Sequence, residues 1–247
     1  MGQKIKSTSE KGQEYHQYSV FIKGETVDLC TPSKSAIIND GWAEWFNDDE
    51  TTKYLDQGIF PNTIEDQLEF YEGLKEKTRF LLLIKAKRKR RVVGVISLSN
   101  INMFKRMAQI SMVLGVREKN KTFYALESMA RVGEHGFEKI GLERIYAGQA
   151  FPALKKWNQR LELLGYRSEG IGRRAFIKGR WISDTVSLAC IYEDYLRLKE
   201  LRKGKYWPGE KKMEELIKAL PEQGFAEIVN SLISEASEKY FNSLKYI

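Results

Sequence analysis

The strongest constraint in this chain is a pair of strand-length apolar runs, Phe80-Leu81-Leu82-Leu83-Ile84 and Val92–Leu98, separated by the basic stretch Lys85–Arg91. Two such runs joined by a short polar tip predict an antiparallel hairpin. Neither approaches the roughly twenty apolar residues that a membrane-crossing helix needs, so the hairpin belongs to an internal sheet and no membrane contact is expected. Further strands are expected at Phe21–Leu29 and Met107–Val113.

Around these strands the apolar spacing changes to three and four, the helical period. Ser35–Asp48 reads as a helix through Ile37, Ile38, Trp42, Trp45 and Phe46. Another opens at Thr63, placed to cap it, with Leu68, Tyr71 and Leu74 on one face. Asn120–Thr122 precede a long helix that runs to about Lys139 and is ended by Gly141. Arg144–Ala150 is a strand, Pro152 starts a helix with Leu154, Trp157, Leu161 and Leu164 inward, and Tyr166–Phe176 with Trp181–Ile191 forms a last hairpin. The order is strand, two helices, three strands, helix, strand, helix, two strands, which predicts a mixed α/β sheet with helices on its faces.

After Tyr192 the pattern is wholly helical, at 193–203, 210–220 and 225–246, broken by Pro208 and Pro221. The chain thus divides into a polar segment 1–19, a main domain 20–192, and a helical extension 193–247 read as a homo-oligomerisation element or a lid.

A net charge of +8 and a pI near 9.2 suit a polyanionic ligand: nucleic acid, a nucleotide cofactor or an acidic surface. Much of the excess sits in Lys85–Arg91, which needs no partner if it is a solvated hairpin tip. Cys30 and Cys190 lie in apolar segments and read as reduced core thiols. His16 and His135 are the only histidines, and no set of Cys, His and carboxylate has metal-ligand spacing, so no metal and no histidine-activated nucleophile is expected. The polar N-terminus lacks a signal-peptide apolar stretch, and a cytoplasmic location is expected.

Four stretches carry a likeness: Trp45-Phe46-Asn47-Asp48-Asp49-Glu50 with Tyr54-Leu55; Val93-Gly94-Val95-Ile96-Ser97-Leu98; Ala108-Gln109-Ile110 through Gly115 and on to Gly136–Ile145; and Leu164-Gly165-Tyr166-Arg167-Ser168-Glu169-Gly170 with Gly179–Asp184. In order and spacing they resemble the GCN5-related N-acetyltransferases (GNAT), in the branch similar to ribosomal-protein-alanine acetyltransferases. The resemblance spans about residues 20–192 and implies a GNAT-like sheet, acetyl-CoA as acyl donor, and an N-acetyltransferase that works by direct attack of a primary amine in a ternary complex.

It also implies a site. Backbone N–H groups at a helix start bind phosphate well, and the family's pyrophosphate loop falls on Arg117, Glu118, Lys119, Asn120, Lys121 and Thr122. This is a departure, because Asn120 and Thr122 stand where the family has glycines. Asn tolerates positive φ, Thr122 can cap the helix, and Arg117, Lys119 and Lys121 would compensate by charge. Met112, Val113 and Leu114 are implied as the splayed strand that pairs with the pantetheine arm through backbone groups. Gln109 stands where the family often has a basic Glu, and Leu161 where it often has an acidic Tyr. Tyr124, Asn158 and Tyr166 are the candidate substitutes beside Gln109. Trp45, Asp49, Tyr54 and Phe60 are the acceptor-pocket candidates. The acceptor would be a nucleotide-linked amino sugar, a protein N-terminus or a small amine. Two other readings stay open: a catalytically inactive binding or assembly module on the same fold, and a nucleic-acid-binding protein using the basic hairpin 85–91.

Overall fold

The computed structural model describes residues 18–74, 79–118 and 120–244. One eight-stranded sheet organises them, in the order β1-β2-β3-β4-β5-β6-β8-β7. The first expected strand is two, β1 (Val20–Lys23) and β2 (Val27–Cys30), folded back on each other. The break is at Gly24, where an added Cβ would lie 2.2 Å from the Val27 carbonyl oxygen. β3 (Phe80–Ala86) and β4 (Arg91–Asn102) form the expected hairpin, and β5 (Met107–Leu114) continues it antiparallel.

The run Phe80–Ile84 is apolar throughout because both faces of β3 are buried. Leu82 and Ile84 enter one core with residues of the long helix, while Leu81 and Leu83 enter a second with Trp42, Trp45 and Ile37. The second core is roofed by α1 (Lys34–Asn39), α2 (Trp42–Trp45) and α4 (Ile64–Gly73), with α3 (Asp49–Thr52) in the connection. The helix expected over Ser35–Asp48 is therefore broken, since Gly41 takes the left-handed conformation at φ 74°. Thr63 caps α4, accepting the Asp66 N–H while Asp66 accepts that of Thr63.

The first core is covered by α5 (Lys121–His135), which ends in a π-helical turn Gly136–Ile140 closed by left-handed Gly141. β6 (Arg144–Phe151) follows, then α6 (Lys155–Glu162), β7 (Arg167–Lys178) and β8 (Trp181–Ile191). Glu127 of α5 is fully buried and holds the β1–β2 turn, accepting the Glu25 and Thr26 N–H groups at 2.6 Å each.

The helical extension forms α7 (Tyr192–Leu201), α8 (Glu210–Lys218) and α9 (Phe225–Ser243). It is packed into the first core: Tyr195, Tyr206, Trp207, Met213 and Ala226 are buried there. Trp207 Nε1 and the Glu210 N–H both donate to the Glu25 carboxylate, 2.9 Å each. Among the described residues no helix is long and apolar enough to cross a membrane.

Candidate functional site

β5 and β6 are the sheet's parallel pair, and they pair over three rungs: Met107 with Arg144, Ala108 with Ile145, Gln109 with Tyr146. Beyond Gln109 they part. Ile110–Leu114 pair with β4 alone, and Ala147–Phe151 with β8 alone. A wedge opens between neighbours, and along it every second residue of β5 turns its N–H and C=O toward a gap with no strand in it. Met112, Val113 and Leu114 line this opening, half-buried.

The loop after β5 leads from the wedge to the start of α5. Gly115 lets Trp45 lie directly against that loop, since a Cβ there would fall 2.2 Å from the indole Cδ1. Trp45 is nearly buried, so this acceptor candidate supports the loop while its remaining surface lines the cleft beside it. Arg117 donates to the Asp48 carboxylate at 2.9 Å, and Arg91 ties down Glu118 at 2.6 Å. Asp48 also caps α3. The Thr51 N–H, then the Arg117 cation, hold its carboxyl below the usual range. The charge of Arg117 is thus answered inside the chain. Asp40, Glu44, Asp48, Arg91 and Arg117 line a cleft of about 560 Å³ beside this loop.

Asn120 precedes α5 with φ −85°, so its tolerance for left-handed backbone is not used, and its side chain makes no cap. Thr122 does not cap the helix either, because α5 begins at Lys121. The Lys121 N–H is taken by Glu118 O and the Phe123 N–H by Asn120 O, leaving the Thr122 N–H unpartnered among the described residues. Lys121 is exposed, and Lys119 lies outside the described residues. Arg160, which the sequence reading missed, reaches this helix start from α6 with Nη1 3.4 Å from Thr122 Oγ1. Nothing in its local spacing marks it, because the contact depends on how two helices are phased in space.

The buried polar atoms near this end are unusual. Asn158 of α6 is fully buried with neither amide atom partnered. On α5 the Tyr124 hydroxyl and, one turn later, the Ser128 hydroxyl are likewise buried and unpartnered. Such groups cost about 1–3 kcal/mol each and occur a few times per hundred residues. They lie on α5 and α6, and Arg160 in the last turn of α6 reaches the start of α5. Gln109, at the last parallel rung, accepts from Asn100 Nδ2 at 3.0 Å. Tyr166 is elsewhere: it is buried near Cys190 and Tyr206, and burial raises its hydroxyl well above the usual tyrosine range. Leu161 is core.

On the acceptor side, Tyr54 meets Trp181 edge-on at 5.7 Å, and Trp181 meets Phe176 at 5.1 Å. Lys178 Nζ donates to the carbonyls of Thr52 and Gln57 at 2.6 and 2.8 Å, tying the last hairpin to the chain after α3. Asp49 is exposed in the first turn of α3. Phe60 is 80% exposed and far from enclosure. The basic hairpin is largely paired within the chain: Lys87 with Asp28 and Gly24 O, Arg88 with Glu210, Arg91 with Glu118. Among the described residues no group of His, Cys, Asp and Glu could hold a metal ion.

Residues 38–150 match the family profile of the acetyltransferase (GNAT) domain. Solved structures share the fold. The microcin C7 self-immunity acetyltransferase MccE, in complex with acetyl-CoA and AMP, is 19% identical over 68% of this chain and 93% of its own, with TM-score 0.58. Spermidine N-acetyltransferase from Vibrio cholerae, in complex with CoA and spermine, is 15% identical over 69% and 98%, with TM-score 0.60. A GCN5-related N-acetyltransferase from Brucella melitensis is 14% identical over 83% and 96%, with TM-score 0.62. No curated protein sequence matches significantly. The matched segment runs from α1 into the end of β6, so the elements that build the wedge are the ones similar to the acetyltransferase (GNAT) domain.

Proposed function

We propose that this protein transfers the acetyl group of acetyl-CoA to a primary amine, by direct attack with both substrates bound. The observation that carries the reading is the wedge beyond Gln109, together with the partnerless Tyr124 hydroxyl on α5 and Asn158 amide on α6. Open strand backbone suits an extended amide-bearing chain such as pantetheine, and an amide and a hydroxyl without partners suit its polar atoms.

Acetyl-CoA would supply an activated acyl group. The backbone of Met112, Val113 and Leu114 would hold the arm, and the Thr122 N–H with Lys121 and Arg160 would meet the diphosphate. The helix start offers fewer free N–H groups than an open first turn, so charge from α5 and α6 supplies more of the attraction. Gln109 orients a water or the amine but takes no proton. A thiolate whose conjugate acid has a pKa of about 8.5 leaves with little help, and alignment of the reactants supplies much of the rate. Tyr54 and Trp181 frame the acceptor side, where a nucleotide-linked amino sugar, a protein N-terminal amine or a small amine would enter.

Calorimetry with acetyl-CoA tests this. Wild type binds, and Lys121→Glu weakens binding about tenfold, the size of one lost charge-assisted contact made repulsive. No binding by wild type removes the reading.

A further inference from the structure

The helices after Tyr192 hold one short element, α6, through a series of polar contacts. Along α6, Lys155 pairs with Glu227 at 3.2 Å, Gln159 Nε2 donates to Pro221 O, and Glu162 accepts the Phe225 N–H at 2.9 Å. Positions 155, 159 and 162 recur at helical spacing and form one face. The end of α6 is held as well. Arg202 Nη2 donates to Leu163 O at 2.5 Å, and the Tyr206 hydroxyl donates to Leu164 O at 2.6 Å. These two carbonyls are among those that a helix end leaves unpaired. Arg202 is itself fixed by donating Nη1 to Tyr206 O at 2.7 Å.

Helix α6 is eight residues long, and its N-cap Leu154 makes no side-chain cap. Two turns with no cap do not hold themselves in water. Asn158, with its unpartnered buried amide, borders the gripped face at i+3 from Lys155 and i−4 from Glu162, while Arg160, which reaches Thr122, and Leu161 in the core lie off it. So the extension grips a short helix that also carries two groups assigned to the coenzyme, Asn158 beside the gripped face and Arg160 off it.

We propose that residues 202–227 set the placement of α6, making Arg202, Glu162 and Gln159 positioning residues for Asn158 and Arg160 at the acetyl-CoA site. The proposal rests on the acetyl-CoA reading. It assigns the extension a part in donor binding, beyond the segment that carries the family likeness.

The test compares three variants of the full chain. Arg202→Gln removes the contact with Leu163 O. Phe225→Pro deletes the N–H that Glu162 accepts, at the first helical position of α9, where proline is tolerated. Arg88→Ala, the control, breaks the Arg88–Glu210 pair at 2.7 Å, which fastens the extension to the β3–β4 hairpin and not to α6. Acetyl-CoA affinity is measured by calorimetry, and amide exchange of residues 155–164 by mass spectrometry. Arg202→Gln and Phe225→Pro speed α6 exchange and raise the Kd for acetyl-CoA about tenfold, while Arg88→Ala changes neither. The idea is overturned if α6 exchange quickens and the Kd stays within about twofold of wild type, or if Arg88→Ala weakens binding as much. Wild type that fails to bind acetyl-CoA sinks the acetyltransferase reading and this role together. Wild type that binds, beside variants that bind equally well, sinks this role alone.

Discussion

Gly115→Ala tests the packing on which the loop after β5 depends. The added methyl carbon would fall 2.2 Å from Trp45 Cδ1 and 2.3 Å from Cγ and Nε1, well inside van der Waals contact. The indole is nearly buried among Trp42, Ile37, Val92 and Val95, so it has little room to retreat. Overpacking of this kind costs about 1–3 kcal/mol, and the loop, being the softer partner, shifts and carries the start of α5 with it. Trp45→Leu alone leaves a void and costs about 2–4 kcal/mol. Put together, the two changes offset each other, because the leucine frees the space that the alanine needs. The double variant is therefore more stable than the sum of the singles by about 1–3 kcal/mol. Urea denaturation gives the four stabilities from midpoints at constant m. Acetyl-CoA affinity, measured beside it, falls in Gly115→Ala and recovers in part in the double variant. Additivity within about 0.5 kcal/mol would refute the claimed contact.

Three other outcomes follow from the geometry. Asn158→Leu removes a buried amide that has no partner, so stability in urea holds or rises by about 1 kcal/mol while acetyl-CoA binding weakens; loss of stability with unchanged binding would contradict the assignment. Cys190 is pushed up to about 12 by burial and Cys30 is also raised by burial, so neither thiol alkylates in the native protein at pH 8, whereas both react in denaturant. Glu138 is held below the usual carboxylate range, first by the Tyr195 hydroxyl at 2.6 Å and then by Lys199. A carboxyl lowered in the folded state contributes stability above its unfolded pKa of about 4.3 and loses it as pH falls through the lower folded value. Glu138→Gln should flatten the acid limb of stability in that window, and an unchanged limb would count against the pairing.

Much of the fold was readable because burial imposes period. The β3–β4 hairpin, α4 with its Thr63 cap, and α7–α9 with their proline breaks lie where spacing and stop signals put them. The misplacements fall at glycines. Gly24 splits the first strand because its turn is held by Glu127 from about a hundred residues away, and Gly41 splits the next helix by adopting positive φ. Neither residue announces this locally, since glycine inside a strand or helix pattern is common. The site was less readable for the same reason. Trp45 lines the cleft and also props the loop after β5, Asn120 looks like a left-handed turn and is not, and Tyr166 looks polar and is sealed in. Arg160 carries no local signal at all.

The helical extension decides where the physical domain ends. Its surface pairs, Arg88–Glu210 and Lys155–Glu227, are solvent-exposed on the cationic side and are worth about 0–1 kcal/mol each. Its anchors are different in kind. Tyr195, Tyr206, Trp207 and Met213 are buried in the same core as α5 and β6, at roughly 1.5–3 kcal/mol apiece. Phe137 stacks on Tyr195 at 5.0 Å, and Tyr195 meets Tyr206 edge-on at 4.9 Å, so the aromatic contact runs unbroken from the π-helical turn into the extension. Burial of that size rivals the whole net stability of a typical domain. The match to the family profile stops at residue 150, but the core does not. The elements that flank the wedge on the α6 side are completed by chain that the likeness does not include.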